Sequence, residues 1–115
     1  MDIDQIIKAA VEPIVPVCTI DVYDGNATEF CVYNYTETPV DFGDDEPHAI
    51  RYTVRLHWCF PWKSGVTASA EVKAKKKQLK HALHAAGMTY PTVSSAGDDQ
   101  WAELVFEAEY IDGEV

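Results

Sequence analysis

His57 and Cys59 stand two apart in Arg51–Phe60, a run that alternates like a strand, so both side chains fall on one face. A thiol beside an imidazole is the pairing a cysteine nucleophile needs, but such chemistry also requires an oxyanion hole and a substrate cleft. No segment signals either. His81 and His84 lie three apart on a predicted helix, a spacing that can place two imidazoles on one ion. No third ligand has a fixed spacing to them, and they close a lysine-rich helix where cations complement the macrodipole. The acidic triplet Asp44-Asp45-Glu46 lacks the D-x-D-x-D-G pattern of a calcium loop and reads as a solvated or interacting tip. The expectation is therefore a protein that is not an enzyme, with no catalytic residue, no metal ligand and no cofactor.

Cys18, Cys31 and Cys59 are odd in number and match neither a C-x-x-C knuckle nor a disulfide framework. They read as small buried hydrophobes. The net charge of −10 repels phosphate backbones over most of the surface. Its distribution is uneven: residues 1–62 sum to −8, residues 63–80 to +5 and residues 81–115 to −7. One basic element on an acidic body suits contacts between copies, in which a positive patch meets a negative one. Lysines without interleaved aromatics or arginines give only weak, salt-sensitive contact with nucleic acid, which is not expected as the main ligand.

Lys63, Lys73, Lys76, Lys77 and Lys80 are accordingly candidates for contact with an acidic partner, against the simpler reading of a solvated helical face. Trp62 precedes that helix in a loop. An aromatic there is either a lid on the core or an exposed anchor. No run approaches the roughly 20 apolar residues of a membrane span, and Met1-Asp2-Ile3-Asp4 lacks the cationic start of a secretory signal, so a soluble, cytosolic chain is expected.

These residues must be held by a chain of 115 residues, 47% apolar, which fits one domain, residues 1–115. Ile3, Ile6, Ile7 and Ala10 share a helical face that Pro13 ends. Residues 14–20 and 29–35 read as strands, separated by a turn at Asp24-Gly25-Asn26, and Thr36 to Pro47 as a long polar loop. In the next strand Tyr52, Val54, Leu56, Trp58 and Phe60 alternate with polar neighbours. A helix is predicted from Thr67 to Ala86, closed by Gly87, with Ala68, Val72, Leu79, Ala82, Leu83 and Ala86 as its stripe. Strands at 88–94 and 102–110 follow, the last with an acidic outer face that Arg51 and Arg55 could meet. The fold class is α+β: a mostly antiparallel sheet of four to five strands, with an N-terminal helix and one long amphipathic helix packed on it.

Several stretches taken together resemble small structural proteins of long-tailed bacteriophages and prophages: Val32-Tyr33-Asn34-Tyr35-Thr36-Glu37-Thr38-Pro39, Phe42-Gly43-Asp44-Asp45-Glu46-Pro47, Tyr52-Thr53-Val54-Arg55-Leu56-His57, the helix exit Ala86-Gly87-Met88-Thr89-Tyr90-Pro91-Thr92-Val93, and Leu104-Val105-Phe106-Glu107-Ala108-Glu109. The group they are most similar to is the tail terminator or tail completion family of the head–tail connection. That resemblance implies a homo-oligomeric ring, usually of six copies, that caps the tail tube, and it implies tail tube protein and head connector protein as partners. The place of action would be the virion, after assembly in the bacterial cytoplasm. It implies no catalytic residue. The interface candidates are then Phe42, Asp44, Asp45 and Glu46 in the loop, Trp62 and Lys63 after the central strand, and Lys73, Lys76, Lys77 and Lys80 on the helix. Head-closure and adaptor proteins, and a host-directed binding module, are the alternative roles.

Overall fold

A computed structural model describes residues 2–43, 46–63 and 65–113, with 41–43 and 46–48 described by their backbone alone. Helix α1 (Ile3–Val11) opens with a capping box in which Asp2 accepts from the Gln5 amide and Gln5 returns a bond to the Asp2 amide. It buries Ile3, Ile7 and Val11. Strands β1 (Cys18–Ile20), β2 (Phe30–Gly43) and β3 (Glu46–Pro61) follow. A 3-10 turn at Val66–Ala68 leads into helix α2 (Ala70–Ala85), and β4 (Thr92–Gly97) and β5 (Trp101–Asp112) complete the chain. The five strands are ordered β1-β2-β3-β5-β4, with β1 parallel to β2 and every other neighbour antiparallel. The α+β expectation holds.

Alternation decides which face of the sheet is covered. Tyr33, Val54, Leu56, Trp58, Leu104, Phe106 and Ala108 are buried under the helices with Leu79 and Leu83 of α2. The residues between them, among them Arg55, His57, Glu103 and Glu107, lie on the open face. There Arg55 meets Glu107 at 3.2 Å, whereas Arg51 stands opposite Ile111 rather than an acid.

Four boundaries differ from expectation. The supposed loop Thr36 to Pro47 is mostly strand: β2 continues to Gly43 and β3 begins at Glu46, in unbroken register from Phe30 opposite Cys59 to Gly43 opposite Glu46. Pro39 is tolerated for a geometric reason. The Cys31 amide donates to Val17 and the Tyr33 carbonyl accepts from Asp21, so by alternation the backbone groups of residues 35, 37 and 39 also point away from β3. The missing N–H of Pro39 thus faces the free edge, the place where a strand accepts proline.

The remaining differences are shorter. β1 is confined to three residues, because Pro16 cannot donate and Asp21, at φ 64°, turns the chain off the edge. α2 starts at Ala70, where the Ser69 hydroxyl accepts from the Val72 amide, leaving Ala68 exposed in the preceding turn. The strand expected from Met88 begins at Thr92 and runs to Gly97, since Met88 still bonds the end of α2 through the Leu83 carbonyl.

Candidate functional site

Where β3 ends and α2 begins, the chain leaves a groove of about 630 Å³ lined by Trp58, Phe60, Trp62, Val66, Val72 and Lys75, among others. Trp58 and Phe60 reach it from the covered face of β3, their rings 4.5 Å apart. Gly65, in the left-handed region at φ 74°, starts the turn that sets Val66 against the core. Trp62 is half exposed at 50% and borders the groove, so it is not a lid closed over the core. Lys63 lies beside it, also exposed.

Glu29 ties two parts of the groove together. Glu29, just before β2, accepts from the buried Trp58 indole at 2.9 Å and from Lys75 Nζ at 2.9 and 3.0 Å. Two of its neighbours are thus tied by one carboxylate across the sheet and α2. No local pattern marks Glu29, which is 29 residues from Trp58 and 46 from Lys75. Lys75, alone of its run, turns inward to meet it.

Lys73, Lys76, Lys77 and Lys80 occupy the outer arc of α2, with Lys73 and Lys77 exposed and Lys76 and Lys80 partly covered. Lys80 Nζ lies 5.9 Å from the Tyr90 ring centre, a cation–π distance. His81 and His84 also set their rings against Tyr90, at 5.9 and 5.6 Å, and His84 Nδ1 bonds the Met88 carbonyl at 3.0 Å. The two histidines are thereby engaged with the helix exit. Among the described residues no three His, Cys, Asp or Glu side chains are grouped to hold a metal.

His57 and Cys59 do share the open face, and Glu103 of β5 stands between them in function. His57 Nδ1 is 3.0 Å from Glu103 Oε1, and the Cys59 thiol donates to the same oxygen at 3.8 Å. Asn34 Nδ2 lies 3.5 Å from His57 Nε2; because an amide nitrogen only donates, the imidazole proton is placed on Nδ1, facing Glu103. Burial first, and then the Glu103 charge and hydrogen bond, push the Cys59 thiol up to about 11. At neutral pH this thiol is a hydrogen-bond donor, with almost none in the nucleophilic thiolate form. Cys18 and Cys31 are buried, as expected of small hydrophobes, whereas Cys59 departs from that expectation: it is only partly buried, because its strand position turns it to the open face.

The interface candidates thus fall into separate places. Trp62 and Lys63 share the groove, while the four lysines line the outer arc of α2. Asp44 and Asp45, and the side chains of Phe42 and Glu46, lie outside the described residues; the backbone pair Gly43–Glu46 is at the opposite end of the ribbon from Trp62. No protein-family model matches the chain, and no curated protein matches its sequence.

Proposed function

We propose that this protein is a structural component of the head–tail junction of a long-tailed phage or prophage, a tail terminator whose copies form a ring that caps the tail tube and joins it to the head connector. The observation that carries the reading is the β2–β3 ribbon. Its strands of 14 and 16 residues run past β1 on one side and past β4 and β5 on the other, in a molecule 55 Å long and only 26 by 23 Å across. A ribbon end that outruns its neighbours on one side and an aromatic groove on the other give each copy two unlike ends, one to meet the tube and one to meet the connector. The sequence likeness to tail terminators and the basic arc of α2 on an acidic body support the same reading.

The test is to add the purified protein to growing tail tubes of a long-tailed phage and image the tube ends. Six-fold caps on ends that have stopped growing are expected. Uncapped ends and uninterrupted growth would overturn the proposal.

A further inference from the structure

The sheet has free backbone groups on two sides: on β2 beyond the reach of β1, and on β4. On one side, β1 covers β2 only at Cys31–Tyr33, so the outward N–H and C=O of Tyr35 and Glu37, and the C=O of Pro39, have no partner among the described residues. On the other side lies β4. Its pairing with β5, continued from the Asp98–Trp101 bond, turns the backbone groups of Thr92, Ser94 and Ala96 inward and those of Val93 and Ser95 outward. These too have no partner among the described residues. Folded proteins commonly blunt such an edge with a charge, a proline or a bulge. Thr92–Gly97 contains neither charge nor proline, and its register with β5 is unbroken.

From these two edges we infer that β4 of one copy receives the free half of β2 from a second copy, antiparallel, continuing the sheet across the interface. This rests on the ring reading above and names the joint. The directions agree: β2 and β5 run one way and β3 and β4 the other, so a following β2 is antiparallel to β4 when the helices stay on one side. With Ser95 opposite Glu37, the two residues exchange both backbone bonds and the Val93 N–H meets the Pro39 C=O. The proline lacks only the donor at the end of the ladder.

Charge favours the same match. Glu37 is exposed on the helix-covered face, since it pairs with Tyr52. Lys80 of α2 sits over Tyr90 at the approach to β4, and Lys76 and Lys73 stand one and two turns before it along the same helical face. Glu37 of the incoming strand therefore arrives on the lysine side of the joint. The geometry also staggers neighbouring copies. Glu37 is level with Tyr52 of β3 and Ser95 is level with Trp58, a six-residue offset, or about 20 Å at ~3.3 Å per residue. A closed sheet requires such a shear between strands.

The experiment joins two single-cysteine additions. In this register Ser94 of one copy faces Thr38 of the next on the open side, as a closely spaced pair that is not hydrogen-bonded. Ser94→Cys and Thr38→Cys are each oxidised alone and then as an equal mixture, at low salt and at concentrations up to the millimolar range. A disulfide-linked dimer formed only in the mixture is expected, and it should fall at least about tenfold in yield when the Ser94→Cys partner also carries Lys76→Glu and Lys80→Glu. A mixture that yields no more dimer than either variant alone overturns the joint, whether the protein stays monomeric or associates through another surface. Tube-end capping by the unmodified protein is scored separately, so a failed joint and a failed ring reading give different results.

Discussion

Glu29 and Lys75 meet at 2.9 Å in the wall of the aromatic groove, and the same carboxylate receives the Trp58 indole N–H. Trp58 is among the largest fully buried side chains, so its donor depends on that one acceptor. Glu29→Ala leaves a buried N–H without a partner, and a loss of about 1–3 kcal/mol is expected in urea unfolding followed by tryptophan fluorescence. Lys75→Ala removes only a partly exposed pair and should cost under about 1 kcal/mol. Equal losses for the two would contradict this division.

Arg55 and Glu107 provide the contrast on the open face, where both side chains are more than 40% exposed. Replacing either with Ala should change stability by no more than about 1 kcal/mol, and less in high salt. A larger, salt-independent loss in the same unfolding assay would show that the open face is covered.

Asp4 of α1 accepts from Tyr33 Oη at 2.7 Å and from Tyr35 Oη at 3.2 Å. Burial and the nearby Asp4 carboxylate push Tyr35 up to about 12 from an ordinary 10.0, and raise Tyr33 as well. Above pH 10 the unfolded chain sheds phenol protons that the folded chain keeps, so the stabilisation present below pH 10 is lost as pH rises towards 12. Urea midpoints measured from pH 8 to 11 should therefore fall on the alkaline side, and Tyr35→Phe should make the fall shallower. An unchanged slope in that variant would assign the alkaline loss to other groups.

The Cys59 thiol, held at about 11, should react slowly with iodoacetamide at pH 7.5 and speed up steadily as pH rises. Glu103→Gln removes a neighbouring charge that holds the proton on. Faster alkylation of Cys59 at pH 7.5 is expected in that variant, read by mass spectrometry of the labelled peptide. Rapid labelling of the native protein would mean that the thiol is ionised.

Trp62 projects from the groove at 50% exposure. Trp62→Ala should leave stability within about 0.5 kcal/mol of the parent, as surface changes usually do, while weakening tube-end capping. Full capping by the variant would remove Trp62 from the interface.

Alternation on Tyr52, Val54, Leu56, Trp58 and Phe60 announced the central strand, and the 3.6-residue spacing of Val72, Leu79 and Leu83 announced α2, because each pattern is local to one element. The same local reasoning placed Thr36 to Pro47 in a loop. Its proline and acids outweighed Thr36, Thr38 and Val40, and only the register against β3 shows that Pro39 turns its missing donor to a free edge. The groove was half legible: Trp62 stood out by type and position, but Glu29 did not, since its role depends on residues 29 and 46 positions away.

By itself the sequence determined the α+β class, the covered face of the sheet and the segregation of charge, all of which follow from composition and short-range period. Tertiary structure alone decided the strand order, the two free edges, the inward turn of Lys75 and the contact of Cys59 with Glu103. Each of these depends on contacts between distant segments, and hydrogen-bond partners and burial across a sheet have no signature within any one strand.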